Sequence, residues 1–195
     1  ATENGVTHFT TENPINGLFT VTWTFQHGSL HDDMLLTAFQ LLRKSGTKEL
    51  SSVDLGKRWY QLGVNADFTV YENYTEIMLS GLSSSYEPGV KLLWQWLNDM
   101  EFEKETLAKL IADLKISRTD AMEDPATIIH AMARYSRYGK KSKYVDRTSS
   151  EELDELTIEQ FKKSLSQLLK LPHEVSYVGK LSESQGRKKT PVLKV

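Results

Sequence analysis

The sequence predicts an α+β fold in which helices pack on one face of a mainly antiparallel sheet. Three observations point to it: an early segment with strand periodicity, a strand hairpin further along, and several segments of helical periodicity between that hairpin and a closing strand. The chain has 195 residues, 39% of them hydrophobic and 26% charged. Such a chain can bury a substantial core. Because no repeat, low-complexity tract or linker interrupts it, we expect residues 1–195 to form a single domain.

The first strand is predicted from strict alternation in residues 17–26. Phe19, Val21, Trp23 and Phe25 fall on one face, with threonines on the other. Alternation of this kind is typical of a half-buried strand in an antiparallel sheet.

Two helices are predicted to follow. Apolar residues recur at helical spacing from Leu30 to Leu42, with Asp32 and Asp33 expected in the first turn and Gly46 after the last. The second helix is expected over 52–62, with Gly63 as its stop.

The remaining elements are expected in a simple order. Residues 65–71 and 74–82 predict two strands around a polar turn, and the last strand is expected at 175–179. Capping and apolar spacing predict four helices between them, at 87–99, 103–121, 125–138 and 157–170.

Composition excludes several classes of partner and site. A net charge of −2 and a pI near 6.3 give no indication of a nucleic-acid partner. No apolar run is long enough for a membrane span. The chain has no cysteine, which excludes disulfides and thiolate metal sites. It begins at Ala1 without a leader and ends abruptly in Pro191–Val195, so we expect a fragment of a longer chain.

One segment, Leu36 to Thr47, carries the most functional information, and further landmarks occur in order around it. The landmarks are Asn13 to Phe19, His27-Gly28-Ser29, Leu62-Gly63, Ser80-Gly81-Leu82, Asp124-Pro125, Tyr138-Gly139 and Tyr177-Val178-Gly179. In this order they resemble the M16 (insulinase/pitrilysin-like) metallopeptidases, and the similarity is greatest to the degenerate inner domains of long bacterial M16 peptidases.

In the M16 family a His-x-x-Glu-His motif lies on the helix that this segment resembles. Its two histidines bind zinc and its glutamate activates water. Counting back from Gly46-Thr47, those positions hold Thr37, Gln40 and Leu41. Leucine offers zinc no lone pair, and a carboxamide cannot act as a general base. A carboxylate, Asp113, stands at the position of the third ligand, but a single carboxylate does not make a zinc site. The resemblance therefore implies no catalytic or metal site in this chain.

The resemblance implies a non-catalytic domain of an M16 zinc metalloendopeptidase. Such a domain would form the wall of a chamber and contact other M16 domains, of the same polypeptide or of a partner subunit. An unfolded peptide would be cleaved in a separate, zinc-bearing domain. Bacterial relatives imply the periplasm. Two alternatives stay open: a scaffold subunit like the inactive core proteins of the respiratory complex, and a peptide-binding module that uses an edge strand.

Other candidate sites have simpler explanations. His27 and His31 are four residues apart, but Gly28-Ser29 between them predicts a turn rather than a helical metal pair. The remaining histidines are scattered, at His8, His130 and His173. The serine segments Ser83-Ser84-Ser85 and Ser149-Ser150 do not form the Gly-x-Ser-x-Gly elbow of a nucleophilic serine. The segment Gly186 to Lys189 does not match a Gly-rich phosphate loop.

Two surface features are left over. Trp94 and Trp96 point about 200° apart on one helix, so we expect one of them to be exposed, at a domain contact or partly buried under 83–89. Arg137 and Tyr144 resemble the spacing of a substrate-binding pair in M16 enzymes, but they lie in a basic loop and not on the matching helix. The cluster Lys140, Lys141, Lys143 and Arg147 is expected to face solvent, an acidic surface of a partner, or a phosphate.

Overall fold

The computed structural model of the chain describes residues 2–3, 6–182 and 185. Ala1, Gly186 to Lys189 and the end segment Pro191–Val195, on which part of the sequence analysis depended, lie outside these residues.

Eight strands are present in the described residues, and six of them form the main sheet in the order β1-β2-β8-β3-β6-β5. All neighbours pair antiparallel except β2 and β8, which run parallel. The other two strands, β4 and β7, pair with each other. In chain order the strands are β1 (Thr2–Glu3), β2 (Val6–Glu12), β3 (Leu18–Phe25), β4 (Gly46–Thr47), β5 (Val64–Val70), β6 (Thr75–Leu82), β7 (Met100–Glu101) and β8 (His173–Gly179).

Seven α-helices lie between the strands of the described chain, which confirms the α+β class and the mainly antiparallel sheet. Short 3-10 turns at Ser83–Ser85 and Gly139–Lys141 add to them. The helices are α1 (Leu35–Arg43), α2 (Ser52–Leu62), α3 (Tyr86–Asn98), α4 (Lys104–Glu123), α5 (Pro125–Tyr138), α6 (Ser150–Asp154) and α7 (Ile158–Leu169).

The contacts within the chain divide it into two compact units. The first contains the sheet and comprises the residues up to Phe102 and those from Phe161 onward; the second comprises Glu103–Gln160. That residues 1–195 form one domain stays a prediction.

The core of the first unit follows from the alternation in β3. Phe19, Val21, Trp23 and Phe25 are at most 1% exposed, while the threonines between them are half-buried. Burying each of these side chains stabilises the fold by roughly 1.5–3 kcal/mol. Phe19 of this row meets Tyr86 of α3 edge-on, with ring centroids 5.0 Å apart, and the period-two pattern correctly predicted that the apolar face of the strand is inside.

Helix α1 begins at Leu35, five residues later than the apolar spacing predicts. The backbone N–H groups of Ser29 and Leu30 donate to the carbonyls of Tyr71 and Glu72, at 2.9 Å each. Residues 28–30 are therefore held against the β5–β6 hairpin turn and cannot enter the helix. Neither Asp32 nor Asp33 lies in the first turn of α1, and one carboxylate oxygen of Asp32 instead accepts the N–H of Met34 at 2.9 Å.

Candidate functional site

The three positions that resemble the zinc motif lie together on α1. Thr37, Gln40 and Leu41 are spaced by three and four residues, which places them on one side of the helix. Leu41 is 0% exposed, and Thr37 and Gln40 are half-buried. This side of α1 is a packing face, and its innermost position is held by an aliphatic side chain.

Gln40 contributes neither a base nor a ligand to this face. Its Oε1 atom is buried and accepts no hydrogen bond from the described residues. A carboxamide oxygen can accept a hydrogen bond but is too weak a base to take up a proton near neutral pH, so it cannot activate water as a carboxylate does.

The Gly-Thr pair that ends the motif region has a structural role. An ideal Cβ on Gly46 would lie 2.2 Å from the carbonyl oxygen of Leu50, so only glycine fits there. The hydroxyl of Thr47 accepts the backbone N–H groups of Glu49 at 3.3 Å and Leu50 at 3.0 Å. These two residues close a tight turn between α1 and α2, which needs no metal.

A buried polar contact ties the same end of α1 to α3. The hydroxyl of Ser45 donates to the carbonyl of Leu42 at 2.7 Å and accepts the indole N–H of Trp96 at 3.3 Å. Trp96 is 5% exposed, and its ring meets Phe68 edge-on with centroids 5.4 Å apart. This tryptophan is a core residue whose indole N–H has a partner.

Trp94 lies on the other side of α3 and is half-buried. Its carbonyl accepts the side-chain amide of Asn98 at 2.7 Å. This agrees with the divergence predicted from the helical period, and a role for Trp94 in a domain contact stays a prediction.

Asp113 lies on α4 in the second unit, where it is exposed. Among residues 2–3, 6–182 and 185, no three histidine, aspartate or glutamate side chains group in a way that could hold a metal ion. That this chain has no metal site at Asp113 stays a prediction.

His27 and His31 form a stacked pair, with ring centroids 4.8 Å apart and planes at 27°. Nδ1 of His31 accepts the backbone N–H of Gly28 at 3.2 Å, so this nitrogen is already engaged in the predicted turn. Partial burial, and then the neighbouring His31, lower the pKa of His27 from its usual value. Both histidines lie in the connection between β3 and α1.

The other histidines lie apart from this pair. His8 and His173 are buried in the sheet region, the latter with its ring 4.7 Å from that of Phe25, and His130 is exposed on α5. Of the basic residues after α5, Lys140, Lys141, Lys143 and Arg147 are all exposed, as predicted. No helix in the described part of the chain has the length and apolar character needed to cross a bilayer.

Comparison with known proteins finds the fold among solved structures. No family model and no curated protein matches the sequence. An inactive M16 peptidase domain from Pseudomonas fluorescens matches with a TM-score of 0.80 and 20% identity, over 96% of this chain and 47% of that one. The periplasmic protease PqqL of Escherichia coli matches with a TM-score of 0.77 and 18% identity, over 92% and 20% of the two chains.

A third structure agrees with these two. A putative M16-like peptidase from Alicyclobacillus acidocaldarius matches with a TM-score of 0.72 and 13% identity, over 95% of this chain and 46% of that one. The chain thus spans between a fifth and about half the length of these solved chains. It has the fold of an M16 peptidase domain, and one of the domains that share this fold is an inactive one.

Proposed function

We propose that the chain is a non-catalytic domain of an M16-family zinc metalloendopeptidase. In this role it forms part of the wall of a peptide-enclosing chamber and contacts other M16 domains. Hydrolysis of unfolded peptide takes place in a separate domain that binds zinc. In that domain the metal would polarise the scissile carbonyl as a Lewis acid, and a glutamate would activate water.

The burial of Leu41 is the observation that carries the proposal. At the position where an active domain needs a zinc-binding imidazole, this chain places a fully buried leucine on the core side of α1. The position is committed to packing, and Gln40 beside it cannot replace the catalytic carboxylate. The fold of the domain is thereby kept while its chemistry is lost.

The inter-domain role is supported by the length of the matching structures. Each of the three solved chains is at least about twice as long as the part that this chain covers. A domain of this fold accordingly occurs within larger polypeptides, and its neighbours there are the natural candidates for its partners.

The proposal is tested by reading the complete gene and assaying its product for peptide cleavage. We expect a His-x-x-Glu-His motif outside residues 1–195, and we expect cleavage to be abolished when the glutamate of that motif is replaced by glutamine. Asp113→Asn in the same product should leave cleavage unchanged. A product that lacks the motif and cleaves nothing would point instead to a scaffold subunit.

We propose a periplasmic location by analogy with the E. coli protease, which is described as periplasmic. Cell fractionation with antibodies to the chain tests this directly. Recovery in the cytoplasmic fraction would contradict it.

A further inference from the structure

Helix α5 carries an exposed apolar stripe. Ile128, Ile129, Met132 and Tyr135 recur at the spacing of one helical face and are 40%, 66%, 67% and 51% exposed. No residue of α5 is buried. A helix of 14 residues with its apolar side in water gains little from folding onto its own domain, so this side is available to a partner.

Opposite charges lie beyond the two ends of this stripe. Glu123 and Asp124 precede the helix, while Lys140 and Lys141 lie in the turn directly after it. Glu123, Lys140 and Lys141 are exposed, and none of the three takes part in an ion pair among the described residues. Between Pro125 and Val145 the chain has five lysines and arginines and no carboxylate.

The stripe and its charged ends are complementary to themselves when a second α5 lies antiparallel across a two-fold axis at Met132. Met132 then faces its copy, and Ile129 lies opposite Tyr135 of the other chain. Asp124 and Lys140 are both eight residues from Met132, about 12 Å along the helix, so each meets the other's counterpart. Glu123 and Lys141 are related in the same way, nine residues from the axis.

We propose that two copies of this chain associate through antiparallel packing of their α5 helices. The apolar stripe forms the centre of the interface, and the pairs Glu123–Lys141 and Asp124–Lys140 flank it. Both copies present the same patch, which is the arrangement that closes a dimer and stops further growth. The proposal goes beyond the proposed function, because it concerns a surface that the chamber role does not use.

The composition of the stripe favours a protein partner over a lipid surface. Methionine, tyrosine and arginine are enriched at protein interfaces, whereas helices that lie in a bilayer surface present broader faces with tryptophan or phenylalanine. The stripe has only four large apolar side chains, with Ser136 among them. One helix pair is a small interface, so we expect dissociation in the micromolar range.

Sedimentation equilibrium of the whole chain tests the proposal. We expect a concentration-dependent dimer that dissociates when Met132→Glu places two carboxylates at the axis. Met132 is exposed, so the variant should keep the wild-type melting temperature. A chain that is monomeric at hundreds of micromolar, or a dimer that survives Met132→Glu, would overturn the proposal.

Charge reversal tests the orientation of the helices. Glu123→Lys or Lys141→Glu alone places like charges opposite each other and should weaken the dimer about tenfold, whereas the double variant should restore most of the affinity. We leave Asp124 unchanged because it caps α5. Equal weakening by the double variant and the single variants would contradict the antiparallel pairing.

Cross-linking gives an independent reading, because the chain has no cysteine of its own. Met132→Cys should form an intermolecular disulfide under mild oxidation. Tyr60→Cys, on the exposed side of α2 in the other unit, should not. Equal cross-linking of the two variants would reject the interface, as would a monomeric chain whose α5 binds vesicles of anionic phospholipid.

Discussion

Leu41 is both a position of the resembled zinc motif and a buried residue of the core. By the resemblance to the M16 motif it stands where an active domain would bind zinc, and it is 0% exposed on a helix whose other buried residues are Leu35, Ala38, Phe39 and Leu42. A buried leucine stabilises the fold by about 1.5–3 kcal/mol through the apolar surface it removes from water. Reversal to histidine would place a polar ring there, which costs free energy unless it is hydrogen-bonded.

The packing role of Leu41 predicts a large effect of truncation. Leu41→Ala should lower the free energy of unfolding by about 2–5 kcal/mol, because it removes buried methyl groups and leaves a cavity. Leu36→Ala on the same helix is the matched control, since Leu36 is 50% exposed and its loss should cost no more than about 0.5 kcal/mol. Urea unfolding measures both. Equal effects would show that α1 does not present Leu41 to the core.

The two glycines around this region predict opposite effects of the same substitution. Gly46→Ala places a methyl group 2.2 Å from the carbonyl oxygen of Leu50 and should destabilise the chain by about 1–3 kcal/mol. Gly56→Ala, within α2, meets no atom within 4 Å and should stabilise it by about 0.4–1 kcal/mol. Thermal unfolding distinguishes them. If Gly46→Ala were neutral, the turn at Gly46-Thr47 would not be as tight as described.

At the scale of elements, local signals predicted the helices best. The bounds of α2 and α5 agree with the sequence prediction at both ends. Ser51 caps the first with an oxygen that accepts the N–H of Asp54 at 3.1 Å, and Gly63 ends it with φ 61°. Asp124 and Pro125 begin the second. These signals act within a few residues and are therefore legible in sequence.

The errors came from interactions between distant segments. The late start of α1 is caused by bonds from Ser29 and Leu30 to the β5–β6 turn, some 40 residues away. Strand β2 was not predicted, and its partner β8 begins more than 150 residues later. Helix α6 was also missed, although its capping box, Ser149 with Glu152, was present in the sequence.

For the candidate site too, the local features could be predicted from the sequence and the features that depend on distant segments could not. The spacing before Gly46 identified the positions of Thr37, Gln40 and Leu41, because a motif on one helix is a local pattern. The burial of Leu41 and the exposure of Asp113 depend on packing against other segments, so only the structure provides them.

The cap of α5 predicts a measurable dependence on pH. The hydroxyl and the backbone N–H of Thr127 donate to the carboxylate of Asp124, and they lower its pKa from the ordinary value of 3.8. The stabilisation by the ionised cap is complete above pH 3.8 and is lost as the pH falls below it through the lowered pKa. Asp124→Asn keeps an acceptor but cannot titrate, so its free energy of unfolding should fall less steeply in this range.

The control for this experiment is Asp120→Asn, an exposed acid one turn earlier on α4. Chemical unfolding at a series of pH values above and below 3.8 compares the two variants with the wild-type chain. Identical slopes for Asp124→Asn and the wild type would mean that the carboxylate does not cap the helix in solution.

At the scale of the whole molecule, the fold can be compared with the metal-binding side chains that would accompany it in an active enzyme. Its fold is that of M16 peptidase domains, with a TM-score of 0.80 to one that is inactive. Within the described residues, no cluster of metal-binding side chains accompanies that fold. That the domain is kept for its shape and its contacts with other domains, and not for catalysis, is the proposal that these two observations support.

Zinc stoichiometry tests this account most directly. The purified chain is stripped with a chelator, reloaded with excess zinc, dialysed and measured by elemental analysis, and peptide cleavage is assayed on the same sample. We predict well under one zinc per chain and no cleavage, because Leu41 offers no ligand and Asp113 is a single carboxylate. One zinc per chain that is lost in Asp113→Asn, with cleavage lost alongside it, would contradict the account.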